Sequence, residues 1–174
     1  MSVTAPRRGL VSTERYRKAV GQYAEGVAVV TAAIGEDVFG AAASTVASLS
    51  VDPPMILVGI DRECATGRAI DRSGEFAVNL LADDQSDLAE RFFRSGPIDS
   101  SIPVDDDIEP IRRDGRSPLE RCLARIECQV TERVTSASHL VFIGVAQSVD
   151  ASAGTPLTAY GGRFHRLEPI GQDG

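Results

Sequence analysis

The chain has 174 residues, of which 43% are hydrophobic and 25% charged, and this composition predicts a globular protein with a buried core. Its formal net charge of −7 offers a phosphate backbone few cations, which argues against nucleic acid as a partner. Residues 1–22 lack the apolar run of a signal peptide, and no apolar stretch approaches the roughly 20 residues that cross a bilayer as a helix, so we expect no membrane partner.

The three cysteines, Cys64, Cys122 and Cys128, are odd in number and form no Cys-x-x-Cys pair. They therefore predict neither a disulfide framework nor a zinc ribbon, but reduced thiols in a cytoplasmic protein. Because His139 and His165 are the only histidines, a histidine-rich metal site is not expected either.

The first predicted element is a helix that Ser12 or Thr13 caps and that Gly26 ends. Its apolar residues recur at helical spacing and form one stripe, made of Tyr16, Ala19, Val20 and Tyr23. Two β-branched runs, 27–33 and 38–43, then flank a turn at 35–37 and predict a hairpin.

The wholly apolar run 55–60 predicts a strand that is buried on both faces, and the run 76–81, which is apolar except for Asn79, predicts a second such strand. Residues 66–73 between them are typical of a short helix. A further helix is predicted to begin near Asp84, with an apolar side formed by Leu88, Ala89, Phe92 and Phe93.

Residues 94–118 carry glycines, prolines and the acidic run 105–107, and predict a long polar connection. Two longer strand candidates follow at 124–134 and 139–149, and a short one at 163–167. Six or seven strands with few helices, and without regular helical crossovers, predict a mainly β domain. A mostly antiparallel barrel is favoured because closure removes exposed strand edges.

The segment 40–54 carries small residues and hydroxyls where a strand usually has large β-branched side chains. Small side chains let a planar ligand approach the backbone, and the hydroxyls of Ser44, Thr45, Ser48 and Ser50 can hydrogen-bond a polyol or a phosphate. A tightly packed Ser/Ala strand and turn explains the same residues, so the segment alone leaves both interpretations open. The common dinucleotide, phosphate-loop, zinc-protease and nucleophile-elbow motifs are absent from the sequence.

Other short motifs accompany this segment in a fixed order, with sequences EGVAVVT at 25–31, CAT at 64–66, GEFAVNLL at 74–81, QSDLAERF at 85–92, PL at 118–119, GVA at 144–146 and YGGRF at 160–164. In this order and spacing the chain resembles the flavin reductase-like family. Its members are the short reductase components of two-component flavin-dependent monooxygenases. The resemblance covers about residues 14–167.

The resemblance implies a split β-barrel with Greek-key connections and a few short helices. It implies one domain over 1–174 with its core at about 14–167, paired as a homodimer with flavin near the subunit interface. The implied activity is that of an NAD(P)H-dependent flavin reductase. It uses NADH or NADPH to reduce FMN or FAD, and supplies the reduced flavin to a flavin-dependent oxygenase component.

The resemblance also implies the site residues. His139 is the implied catalytic residue and would bind the nicotinamide. The residues implied around the isoalloxazine ring and ribityl chain are Ala42, Ser44, Thr45 and Ser48, with Ala47 in the same stretch. Those implied near the phosphate and the cofactor tail are Cys64, Thr66, Gln85 and Phe92. Arg163 is a candidate phosphate partner, and Phe164 either covers the nicotinamide or fills the barrel.

Two departures from the family pattern leave alternatives open. Ala42 stands where the family usually has threonine, which removes a side-chain hydrogen bond to the flavin. Ala137-Ser138-His139 stands where the family has Gly-Asp-His, so the histidine remains without the glycine and the acid. The alternatives are an accessory or carrier protein that binds flavin without reducing it, and a flavin-dependent oxidase of specialised metabolism.

Overall fold

The computed structural model of the protein describes residues 9–35, 37–43, 45–94 and 118–171. Within these ranges lie the helices α1 (Thr13–Val20), α2 (Ala65–Ser73) and α3 (Ser86–Arg94). The strands are β1 (Glu25–Gly26), β2 (Ala28–Ile34), β3 (Asp37–Ala43), β4 (Val46–Val51), β5 (Pro54–Asp61), β6 (Glu75–Leu80), β7 (Ala124–Ser136), β8 (His139–Ala151), β9 (Leu157–Tyr160) and β10 (Arg163–Arg166). Two 3₁₀ turns cover Asp83–Gln85 and Pro118–Arg121.

Seven strands form one antiparallel sheet in the order β3-β2-β6-β7-β8-β5-β4. The two edge strands are consecutive in the chain, since β3 ends at Ala43 and β4 begins at Val46. Three Cα steps span at most about 11 Å, so the sheet must curl until its edges come close at this corner. Among the described residues no ladder pairs β3 with β4, and a second, three-stranded sheet has the order β1-β9-β10.

The side of the sheet enclosed by the curl holds a first hydrophobic cluster, and α2 covers it with Ala69 and Ile70. Alternate residues of the strands supply the rest of this cluster, chiefly Ala28, Val30, Ile56, Val58, Ile60, Phe76, Val78, Cys128, Leu140 and Phe142. The packing is tight at Gly144, where a β-carbon would lie 2.7 Å from the Phe76 ring.

A second cluster lies on the opposite face of β2, under α3 and β9. It consists of Val27, Val29, Leu81, Ala89, Phe92, Leu119, Cys122 and Leu157. Since β2 has a cluster on each face, its sequence is an almost continuous apolar run rather than an alternating one.

The mainly β, antiparallel architecture and the seven predicted strands are confirmed, as are the helices predicted at 66–73 and from Asp84. Ser12 caps α1, accepting a hydrogen bond from the Arg15 N–H at 3.4 Å. Residues 95–117, which include most of the predicted polar connection and its acidic run, lie outside the described residues.

The prediction that Gly26 ends the first helix is wrong. The helix ends at Val20, where the Gly21 N–H donates to the Arg17 carbonyl at 2.8 Å, and Gly26 instead pairs with Thr158 in the small sheet. Tyr23 therefore lies outside α1, and no residue of α1 is buried. The apolar stripe predicted on this helix faces solvent in the monomer.

No helix within the described ranges has the length and apolar character needed to cross a bilayer. The three cysteines are free thiols, and Cys122 and Cys128 are buried. Burial raises the pKa of both buried thiols, that of Cys128 to about 11.

Candidate functional site

The predicted cofactor residues 42–48 lie at the corner where β3 passes into β4. Ser44 lies outside the described residues. Thr45 and Ala47 are exposed on one side of β4, while Val46 and Ser48 lie on the other, because side chains alternate along a strand. Val46 packs against the first cluster, so Thr45 and Ala47 face away from the enclosed core. Ser48 therefore does not share a face with them, and its register partner is the buried Ile56.

Gly59 of β5 holds this corner in place. Its N–H donates to the Thr45 carbonyl at 2.9 Å. A β-carbon on Gly59 would lie 2.8 Å from Thr45 Cγ2 and 3.0 Å from Thr45 Cβ. Thr45 can lie against β5 because this position has no side chain.

The N-terminus of α2 follows directly after β5. The Cys64 N–H donates to the Asp61 carbonyl at 3.0 Å, and the Cys64 side chain makes no capping hydrogen bond. The first turn of α2 contains no acidic residue. Because the first N–H groups of a helix lack intrahelical acceptors and carry the positive end of its dipole, this end fits a phosphate. Thr66 is 1% exposed, so its backbone rather than its hydroxyl is the candidate contact.

Arg68 lies at the same helix terminus and was not singled out from the sequence. Its Nη1 donates to the Glu63 carbonyl at 2.7 Å, which keeps the exposed guanidinium beside the first turn of α2. A cation in the first turn of a helix opposes the helix dipole. That unfavourable placement is the signal by which Arg68 could have been found.

His139 begins β8 and is exposed, with Nδ1 2.9 Å from the Ser138 hydroxyl. Ala137 in the preceding turn has a φ of 48°, in the left-handed region that favours glycine. The turn therefore keeps a glycine-like backbone although the glycine of the family pattern is absent.

Strand register brings the corner at Thr45, the N-terminus of α2 and His139 to the C-terminal end of β5. Gly59 lies beside Thr45, Asp61 pairs with His139, and Cys64 follows as the first residue of the α2 terminus. Thr45 and His139 lie two strands apart and are offset by two residues along the strands, so their Cα atoms are about 12 Å apart.

A second group of predicted residues lies on the other side of the corner, around the second cluster. Ala42 and Phe164 pack against that cluster, and the Phe164 ring centroid is 5.8 Å from that of Phe93. Phe92 is buried and fills the space beside Gly40, where a β-carbon would lie 2.7 Å from its ring.

The two remaining predicted residues, Gln85 and Arg163, have opposite surroundings. Gln85 is 3% exposed, and its Oε1 accepts a hydrogen bond from the Ala82 N–H at 3.0 Å. Gln85 thus supports the turn before α3. Arg163 is exposed on β10, next to Phe164.

A groove of about 710 Å³ lies elsewhere, on the face of β2, β6 and β7 that carries Thr31, Ala77 and Arg125, and no predicted site residue lines it. Beside it, the fully buried Asn79 donates to the Val29 carbonyl at 2.8 Å. Within the described ranges, no group of three or more His, Cys, Asp or Glu side chains is arranged to hold a metal ion.

These features describe a mainly β protein with a corner of small residues next to the N-terminus of a helix. Residues 20–168 match the model of the flavin reductase like domain, and the chain belongs to that family.

One relative is the reductase component of 4-nitrophenol 4-monooxygenase/4-nitrocatechol 2-monooxygenase from Rhodococcus opacus. It is 33% identical over 154 residues, which cover 88% of this chain and 80% of the relative. An NADH-dependent flavin reductase from a Rhodococcus species is 31% identical over 160 residues, covering 90% and 88%. The structure of the flavin reductase PheA2 in its native state has a TM-score of 0.78 and 30% identity, covering 91% of this chain and all of that one.

Proposed function

We propose that this protein is an NAD(P)H-dependent flavin reductase that supplies reduced FMN or FAD to a separate flavin-dependent monooxygenase. Family membership and the relatives named above support this activity. The structural observation that carries the proposal is the meeting of three parts at the C-terminal end of β5. These parts are the small-residue corner, the N-terminus of α2 and His139.

The corner is the proposed flavin cradle, formed by Ala42, Ser44, Thr45, Ala47 and Ser48. The exposed Thr45 and Ala47 would flank the isoalloxazine ring, while Ser48 would reach it from the strand edge.

The N-terminus of α2 would hold a phosphate through the backbone of Cys64 and Thr66. Gln85 and Phe92 would act on the cofactor tail indirectly, because both are buried. Phe92 belongs to the second cluster, against which Ala42 packs, and Gln85 supports the turn before α3. Arg163 and Phe164 are the proposed contacts from the small sheet.

His139 is the proposed nicotinamide ligand. When both cofactors are bound, they carry the hydride chemistry themselves, so the protein needs to bind and orient two rings. Orientation alone contributes about 7–11 kcal/mol to such reactions, so the chemistry does not require an acid–base pair.

A homodimer is part of the proposal. The face of β4 that carries Thr45 and Ala47 continues, by register, into a row of half-buried aliphatic residues, Leu57, Val141, Ile143 and Val145. Nothing in the monomer covers this row among the described residues, and a stable interface needs about 800 Å² from each partner. A second copy seated there would lie next to the proposed flavin cradle.

Dimer formation can be tested with two variants of one strand. Ile143→Asp places a charge in the aliphatic row, and Val149→Asp places the same charge on the opposite side of β8, where Val149 is 59% exposed. Light scattering after gel filtration should give twice the chain mass for the wild type and Val149→Asp, and a smaller mass for Ile143→Asp. A wild-type mass equal to one chain would contradict the homodimer.

We also propose that the curled sheet is a split β-barrel with Greek-key connections, and that the whole chain is one domain with its core at about 14–167. The two-residue junction between the edge strands β3 and β4 supports this architecture. The free thiols are consistent with a cytoplasmic location.

The activity is tested by mixing the protein with FMN or FAD and with NADH or NADPH, and following the nicotinamide and flavin absorbance bands. We expect oxidation of the nicotinamide with turnover. His139→Ala should lower that rate about tenfold without changing flavin affinity, and His165→Ala, which alters an exposed histidine of β10, should leave it unchanged. Flavin binding without nicotinamide oxidation would favour a carrier protein, and no flavin binding would refute the site.

A further inference from the structure

Asp61 and His139 lie directly opposite each other at the start of the β5–β8 ladder. The Arg62 N–H donates to the Ser138 carbonyl at 3.0 Å, which identifies the two residues as a non-hydrogen-bonded pair. In such pairs the side chains are at their closest, with Cβ atoms about 4.5–5.5 Å apart. Both residues are exposed.

Each of the two side chains has one polar atom engaged and one available. Asp61 Oδ1 accepts the Glu63 N–H at 2.9 Å, and Oδ2 has no partner among the described residues. His139 Nδ1 is 2.9 Å from the Ser138 hydroxyl. When that hydroxyl donates to Nδ1, the ring proton of neutral His139 is on Nε2, where it can donate to a ligand.

The neighbouring cation interacts more strongly with Glu63 than with Asp61, since Glu63 is the larger of the two causes that raise the pKa of Arg62. Arg62 Nε lies 2.9 Å from Glu63 Oε1, and Arg62 Nη1 donates to the Ala137 carbonyl at 3.5 Å. The guanidinium is thus engaged by Glu63 and by the turn before β8, and within the described ranges it makes no ion pair with the Asp61 carboxylate.

We infer that Asp61 and His139 together bind the carboxamide of the nicotinamide, an inference that rests on the proposed function. A primary carboxamide presents one N–H donor and one carbonyl acceptor side by side. Asp61 Oδ2 accepts from the amide N–H, and His139 Nε2 donates to the carbonyl oxygen. The family pattern has an aspartate directly before the histidine, where this chain has Ser138. Asp61 provides an acidic side chain beside His139 from the neighbouring strand instead.

The pair also determines specificity. A nicotinic acid ring carries a carboxylate in place of the carboxamide, and that anion would face the carboxylate of Asp61. Like charges at such a distance repel, and neither carboxylate has a proton to donate. The site therefore accepts NADH and rejects the reduced nicotinic acid analogue of the same dinucleotide.

The test compares Asp61→Asn with Asp37→Asn. Asparagine at position 61 keeps an oxygen that can accept from the Glu63 N–H but removes the charge, and Asp37→Asn removes an exposed charge at the start of β3, six residues from the corner where that strand ends. For each variant, kcat and KM are measured with NADH and with the reduced nicotinic acid dinucleotide, at saturating FMN. The dissociation constant of FMN is measured by fluorescence.

For Asp61→Asn we expect KM for NADH to rise about tenfold, and the preference for NADH over the acid analogue to fall about tenfold or more, with FMN affinity unchanged. Asp37→Asn should behave as the wild type does. An unchanged preference in Asp61→Asn would overturn the inference, and so would an equal loss of FMN affinity. A wild-type protein that oxidises no NADH would instead refute the proposed function.

Discussion

Substituting Gly59 with alanine tests whether the corner at Thr45 holds the flavin. The added β-carbon would lie 2.8 Å from Thr45 Cγ2, whereas carbon atoms pack best at about 3.5–4.0 Å. Thr45 must therefore retreat by about 1 Å. Overpacking of this kind costs about 1–3 kcal/mol of unfolding free energy, which lowers the melting temperature of a chain of this size by about 2–12 °C. A displacement of about 1 Å in a site also lowers catalysis by up to about 100-fold.

We therefore expect Gly59→Ala to lower kcat/KM for flavin by about 10- to 100-fold in the nicotinamide oxidation assay. Adding Thr45→Ser removes the nearest carbon, Cγ2, and should restore part of both losses. Gly26→Ala is the matched control, because a β-carbon there meets no atom within 4 Å. A Gly59→Ala protein with a lower melting temperature but unchanged flavin kinetics would show that the corner does not hold flavin. If neither quantity changes, the packing argument itself fails.

Three further variants test the fold. Ala137→Gly should raise the unfolding free energy, measured in urea, by about 0.5 kcal/mol, because glycine relieves the left-handed backbone of Ala137 by more than it adds freedom to the unfolded chain. An unfolding free energy below that of the wild type would contradict the strain at φ 48°. Gly144→Ala should lower it by about 1–3 kcal/mol through contact with Phe76, and an unchanged melting curve would refute that packing. Burial raises the pKa of Cys128 from 9.0 to about 11, so the unfolded thiol ionises first and stability should fall as pH rises from about 9 to about 11. Cys128→Ala should lose this part of the pH dependence, and equal pH profiles would contradict it.

The sequence was sufficient for elements whose burial has a simple periodic form. The strand β6 is a short, mostly apolar run buried on both faces, and β2 is continuous in the same way because it separates two clusters. The prediction that β5 is also buried on both faces is wrong, because Leu57 is only half-buried on the face opposite the first cluster. The end of α1 was placed wrongly because an apolar stripe at helical spacing was extended through Tyr23. The chain leaves the helix at Gly21, and the stripe has no partner within the monomer to fix its length.

The residue types of the candidate site are visible in the sequence, but their geometry is not. Hydroxyl and alanine positions in 40–54 indicated the corner between β3 and β4 as the candidate site, yet only the register shows that the side chains of Thr45 and Ser48 lie on different faces of the sheet. Asp61 follows the predicted strand 55–60 and was not singled out from the sequence. Its position opposite His139 arises from pairing between strands far apart in the chain, which no local pattern encodes.

The junction of two residues between β3 and β4 ties cofactor binding to completion of the fold. Helices can form locally, but Thr45 and His139 come to lie on either side of β5 only after β4, β5 and β8 have paired. Under the proposed function, a partly folded copy has no place for flavin, and bound flavin stabilises the finished sheet by mass action. The catalytically active fraction of a preparation would then equal its fully folded fraction, so turnover could serve as an assay of folding.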